Sequence, residues 1–357
     1  MIYNIFPTKD ATIYDYSASM NTGRDPLLEL EKITSSSVFT GTHKSRALLY
    51  FDWETAETKL NLAPGNYSSK ASSNNASWDL KLYTAEATAI PYSYKLEVKT
   101  MLEHWEMGIG KRDHNPITEK GVSWKYRDNS GSIAHTTPGA KVESLTNTQT
   151  QSFEFESTDI LINISESIAK WRSSSAANHG VCVSYTSSQE ADALSYGSQK
   201  FFSMDTNTIY SPRIQVGWDD SSFSTGSLSA ASSDEILVYI KNGKYEYQEE
   251  ETVRFEVRAR DTTPIQTYAT TSAALETFYL PTGSYWSIED AETEEKIIDF
   301  DSNYTKLSCT SSGNYFVFPM NSLTSERLYK IVIKTENRNW DGQIEKFDVN
   351  QLFKVVR

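Results

Sequence analysis

Along residues 45–53, SRALLYFDW, apolar side chains fall at every second position (Ala47, Leu49, Phe51, Trp53), and Leu48 and Tyr50 make the other face largely apolar as well. Such a short, β-rich run predicts a central strand covered on both sides, with Phe51 and Trp53 as core candidates. Upstream, residues 9–32 (KDATIYDYSASMNTGRDPLLELEK) read as a strand, a loop of Ser, Asn, Gly, Asp and Pro, and a second strand at 27–30. Towards the C-terminus, Ile236, Val238 and Ile240 alternate with Leu237 and Tyr239. Asn242-Gly243 then predicts a type I′ hairpin that returns through 244–248. Further strands are expected at 253–257, 277–280, 285–288, 296–300, 306–309, 315–318, 328–333 and 344–349. One helical period stands out, Ile164, Ile168 and Trp171 at i, i+4 and i+7, with Asn163 or Ser165 as its N-cap.

The periodicity stops once, at 219–235 (DDSSFSTGSLSAASSDE), where residues are small and polar. This predicts a linker at 219–233 between domains at 1–218 and 234–357. A chain of 357 residues is long enough for two domains, each with its own core. Short strands with frequent turns make the second a smaller β-sandwich, the immunoglobulin fold being one candidate arrangement. Composition points the same way: 21 Tyr and 8 Trp among 12% aromatics favour an all-β protein.

A formal net charge of −13 argues against packing along nucleic acid, which needs a basic stripe to neutralise phosphates. The opening MIYNIFPTKD lacks the basic and apolar regions of a signal peptide, and no apolar run reaches the roughly 18–20 residues that span a bilayer. Cys182 and Cys309 fall in different expected domains, which argues against a disulfide between them.

Candidate chemistry is sparse. His104, Glu106, Asp113 and His114 cluster in HWEMGIGKRDH, which suggests a metal or acid–base site; the glycines make this a loop without the helical H-E-x-x-H spacing. The same glycines miss the phosphate-loop and dinucleotide patterns, with Trp105, Arg112 and Asp113 at the discriminating positions. Asp299, Asp301 and Asn303 imitate the start of a calcium loop, but Tyr304 replaces its turn glycine and Thr310 its closing Glu. His179 precedes Cys182 without a thiol-enzyme signature. The acidic pairs Glu289/Asp290 and Glu294/Glu295 and the run 249–251 could serve as glycosidase carboxylates, though on turns and edges such charges usually solvate the chain. No catalytic, cofactor-binding or metal-binding residue is assigned, and no cofactor is expected.

The N-terminal motifs resemble the DNRLRE (disaggregatase-related) domain family. The resemblance runs through 9–32, WDLKLYTAEA (78–87), LEHWEMGIG (102–110), GVSWKY (121–126), DILINISESIAKW (159–171), GVCVSY (180–185) and SPRIQV (211–216). It implies a jelly-roll-like β-sandwich of a kind found in secreted polysaccharide-associated proteins and in phage structural proteins, with Trp105, Trp124 and Trp171 packed in its core. The segments 280–300, 307–323, 327–334 and 347–357 are similar to C-terminal parts of structural proteins from contractile-tailed marine phages. Together these imply a non-enzymatic virion protein of the neck, tail or baseplate, assembled in the host cytoplasm. Its expected partners are other virion proteins, in a symmetric multimer around the tail or portal axis, with neither nucleic acid nor membrane bound. The alternative is a carbohydrate-binding module that attaches to a surface glycan through exposed Tyr and Trp; a glycan-degrading enzyme is a third reading.

Overall fold

The computed structural model describes residues 1–34, 41–63, 67–72, 75–112, 118–143, 149–154, 159–231, 235–263, 277–336 and 344–357. The protein is all-β, with a few short helices. It forms two compact units, one of residues 5–57 and 77–215, the other of residues 1–4, 58–76 and 216–357.

In the first unit, one large sheet has the order β10 (Thr150–Glu154), β7 (Ser93–Thr100), β12 (Val181–Tyr185), β4 (Thr42–Tyr50), β3 (Leu27–Thr34), β13 (Gly197–Phe202), β6 (Thr84–Thr88), and β2 (Lys9–Tyr14) also pairs with β4. β5 (Ala76–Leu82) and β11 (Ile160–Asn163) pair antiparallel in a smaller sheet beside β14 (Arg213–Trp218). The double-sided pattern at 45–50 has its cause in this layout. Ala47, Leu48 and Leu49 are all fully buried, and Leu48 joins Ala11, Ile13, Met101, Trp105, Val122 and Cys182 in one core cluster. A second aromatic group joins Trp53 to Trp78 (5.2 Å between ring centroids) and to Trp171 (6.4 Å).

The expected strand 45–53 ends early, at Tyr50, and Trp53 opens a helix, α1 (Trp53–Leu62), followed by α2 (Tyr67–Ser72). Asp52 Oδ1 accepts from Thr55 N (3.2 Å) at the helix start, the local bond by which Asp initiates helices. Phe51 and Trp53 are both buried, Trp53 from a helix and not from a strand. The expected helix is present as α3 (Ser165–Arg172), but its N-cap is Ile164, without a side-chain cap; Asn163 Oδ1 instead accepts from Ser165 N (3.1 Å).

The second unit contains two facing sheets. One has the order β15 (Ile236–Ile240), β17 (Thr252–Asp261), β21 (Gly313–Pro319), β20 (Ser308–Thr310); the other β16 (Glu246–Gln248), β23 (Ile344–Val356), β22 (Leu328–Glu336), β18 (Ser284–Asp290), β19 (Lys296–Ile298). Named A, A′, B, C, C′, D, E, F and G in chain order, the strands β15 to β23 form sheets A-B-E-D and A′-G-F-C-C′, the arrangement of an immunoglobulin sandwich. Tyr329, near the start of the F strand, donates from its hydroxyl to Thr324 O (2.7 Å), the tyrosine corner of such domains. Rings from both sheets fill the core: Trp286 stacks on Phe316 (4.8 Å), and Phe255 meets Tyr247 (5.6 Å) and Phe353 (5.8 Å).

The predicted hairpin at Asn242-Gly243 is absent. β15 pairs with β17, whereas β16 pairs in parallel with β23, so residues 241–245 carry the chain from one sheet to the other. The Asn242 side chain bonds β17 directly, donating to Arg254 O (2.7 Å) and accepting from Glu256 N (2.9 Å). The expected strand 277–280 is reduced to isolated bridges at Phe278 and Tyr279, while β23 runs beyond 349 to Val356.

The domain boundaries also differ from the expected 218 and 234. The described part of the expected linker, 219–231, is hydrogen-bonded onto the second unit: Ser224 N donates to Cys309 O (3.0 Å), Cys309 N to Ser222 O (2.8 Å) and Ala231 N to Tyr279 O (3.1 Å). Residues 1–4 and 58–76 belong to that unit because Asn4 N bonds Ser322 Oγ (2.8 Å) and Tyr67 packs edge-on against the buried Trp218 (5.3 Å).

Candidate functional site

The loop 102–110 is built around one buried side chain, Asn21. Its amide nitrogen donates to Met107 O (2.7 Å) and Val122 O (2.8 Å), and its oxygen accepts from Gly110 N (2.9 Å). Gly108 and Gly121, both at φ +80°, lie against this amide, and a Cβ on Gly108 would fall 2.3 Å from Asn21 Oδ1. The loop therefore turns on glycines because asparagine occupies the space a side chain would need. Between strand β7 and the glycines burial alternates, with Trp105 in the core and His104 and Glu106 facing solvent. Trp105 Nε1 donates to His179 O (3.0 Å).

That bond brings His179 beside His104, with ring centroids 6.2 Å apart at nearly right angles. His104 Nε2 lies 2.7 Å from Glu106 Oε1, and Lys9 Nζ 3.2 Å from Glu106 Oε2. Burial tends to raise the Glu106 carboxyl, but bonds from His104 and Lys9 outweigh it and hold the group below its ordinary value. His179 is lowered by burial first, then by the neighbouring His104 and Arg127. Next to this group, His135 is 5% exposed and lies 3.6 Å from Glu103, whose carboxylate also binds the Thr136 amide and hydroxyl; burial lowers the His135 ring and Glu103 only partly offsets it. Three histidines from distant segments thus share one region with two glutamates. Among the described residues no three His, Cys, Asp or Glu side chains are placed to hold a metal ion, and Asp113 and His114 lie outside the described residues.

The remaining candidates are structural ties. Cys182 sits in the core with its thiol pushed by burial up to about 12, and His179 meets the core through its backbone, so the two form no nucleophile–base pair. Asp290 Oδ1 caps the turn that follows it, accepting from Glu292 N and Thr293 N (both 3.0 Å), while Glu289 and Glu294 converge on Lys330 at 3.4 and 3.1 Å. Asp301 accepts from Asn303 N (2.7 Å) and Tyr304 N (2.9 Å), and Asp299 pairs with Lys296 (2.8 Å), so backbone donors and a lysine take the oxygens that a calcium loop would offer. Glu250, in the acidic run, pairs with Lys59 (3.2 Å).

The tryptophans are mostly core residues. Trp105 and Trp171 are 2% and 6% exposed; Trp124 is half-buried, with the Lys44 ammonium and the Arg46 guanidinium over its ring at 5.8 and 5.1 Å. Two buried ionisable groups have no counterpart in the sequence reading. Asp10, 1% exposed, accepts from Met204 N (2.7 Å) and is raised to about 7, mainly by burial. Arg213, 2% exposed, lies over the Tyr83 ring (5.0 Å) and bonds the Tyr83 hydroxyl. Their only sequence signal was a charged residue within an otherwise apolar strand. No protein-family model, curated protein or solved structure matches the chain.

Proposed function

We propose that this protein is a non-enzymatic structural component of a tailed-phage virion, acting at the neck, tail or baseplate through protein–protein contacts. The observation that carries the reading is the use made of its reactive side chains. Among the described residues, carboxylates cap turns and pair with lysines, the thiols lie buried, and the exposed His104 is tied to Glu106. What a partner meets is therefore sheet faces and loops on two folded units. The resemblance of the N-terminal motifs to DNRLRE domains and of the C-terminal segments to phage proteins supports the same reading. With six of the seven described tryptophans buried, sugar attachment by aromatic stacking would fall to exposed tyrosines such as Tyr92 and Tyr245.

The test is mass spectrometry of purified particles followed by a reconstruction. The expected result is the protein at stoichiometric, symmetric positions; its absence from particles overturns the proposal.

A further inference from the structure

Strand β17 reads T-V-R-F-E-V-R-A-R-D, and its two faces have opposite character. Phe255, Val257 and Ala259 are buried between the sheets, so Arg254, Glu256, Arg258 and Arg260 lie on the outer side; Arg258 is nonetheless 7% exposed, which leaves Arg254 and Arg260 as the accessible arginines. Residues opposite one another in register share a face, which puts Leu237 beside Arg260, Tyr239 beside Arg258 and Tyr315 beside Glu256. Residues 234–357 carry 21 Asp and Glu against 14 Lys and Arg, yet three of their six arginines stand on this one strand face.

The arginines are held, not loose. Arg254 lies 3.7 Å from the centroid of the Tyr315 ring. Arg258 bonds Glu256 (2.7 Å) and is wedged over Gly313, at φ +124°, where a Cβ would fall 2.1 Å from its Nη1. Among the described residues, neither Arg254 nor Arg260 has a carboxylate within ion-pair distance, while Leu237 is 41% exposed.

We infer that this outer face of the A-B-E-D sheet is a docking surface for a protein partner that presents carboxylates. Arg254 is fixed against the Tyr315 ring and Arg260 donates from Nη1 to Asp261 O (3.3 Å); guanidinium groups held in this way bind carboxylates in bidentate fashion and lose little freedom on doing so. Arginine and tyrosine around an exposed leucine is also the composition of an interface core, where apolar contact and charge pairing act together. A polyuronate would use the charges but not Leu237, and nucleic acid is disfavoured by the net charge of −13. Arg254 and Arg260 stand six residues apart on one strand, so the partner's carboxylates that meet them should lie about 20 Å apart.

This inference rests on reading the protein as a contact-making part, and it is tested on purified full-length chain. Fluorescence anisotropy at low salt would measure binding of a labelled peptide with Asp at alternate positions and Leu or Val between them. The Asn version of the peptide and alginate serve as comparison probes. The expected result is roughly tenfold weaker binding for the Asn peptide and for R254E/R260E, with unchanged melting of the variant. Replacement of both arginines by Lys should give an intermediate loss, because charge remains and the fork does not. Self-association in sedimentation that R254E/R260E abolishes would equally support the inference and identify a second copy as the carboxylate source. Equal peptide binding by R254E/R260E, tighter binding of alginate than of peptide, or neither peptide binding nor self-association would overturn it. Absence of the protein from particles would remove the virion reading and leave this result standing.

Discussion

Asp10 shows how one buried group sets a pH response. Burial raises its carboxyl to about 7, against an ordinary 3.8, although the Met204 amide opposes the shift. The folded chain thus holds the proton more tightly than the unfolded chain, so this group favours folding most below about pH 4, and that contribution falls as pH rises through 7. Asp10→Asn keeps an acceptor for Met204 N and cannot ionise. It is expected to raise stability at pH 8 by about 2–4 kcal/mol and to change little at pH 4, as read from urea midpoints at both values. Burial also grades the tryptophans. Trp105→Ala should cost about 3–5 kcal/mol and half-buried Trp124→Ala about 1–2. Equal losses in thermal melts would contradict the packing described. Asn21→Asp retains shape but turns two donors into acceptors facing the Met107 and Val122 carbonyls. It should destabilise strongly at pH 7 and recover partly in acid, where the protonated carboxyl regains one donor. Of these residues the tryptophans were expected in the core through the resemblance of their motifs, not through a local period. The sequence did not show Asn21, an unremarkable polar residue in a loop whose partners lie some hundred positions away.

At the level of elements, most strands were legible, and the exceptions have local causes. Alternation marked 45–50 correctly but could not stop the strand before Trp53, since a tryptophan on the apolar period fits a strand and a helix start equally well. Asn242-Gly243 has hairpin composition, yet the chain there changes sheets, and Asn242 acts as a two-bond partner for β17. Asn242→Ala should therefore lower stability by about 1–2 kcal/mol, whereas Gly243→Ala would in addition displace the Gln351 side chain, whose amide nitrogen donates to Lys244 O (2.9 Å). Chemical denaturation of Asn242→Ala checks this; an unchanged midpoint would contradict the two bonds to β17. The candidate site was legible only as a fragment, His104 with Glu106, because His179 reaches it through its bond from the Trp105 indole and His135 through Glu103, contacts between segments far apart in the chain.

For the whole molecule, the division of the chain leads to a fragment experiment. A fragment starting at Val216 keeps the hydrogen bonds of 219–231 to Cys309 and Tyr279, which a fragment starting at residue 234 loses. The longer fragment should melt several degrees higher in calorimetry. Equal melting would make 219–231 the free linker that its composition suggested. The sequence by itself determined the all-β class, most strand positions, the apolar faces that carry Phe51, Trp53 and Trp171 and the acidic balance, since these depend on local period and composition. The tertiary structure alone decided which sheet each strand joins, where the two units divide and what surrounds Asp10, Asn21 and Arg213. Alternation states that one face of a strand is covered, but not by what. The covering residues are chosen by pairings between segments far apart in the chain, and such pairings leave no trace in the local pattern.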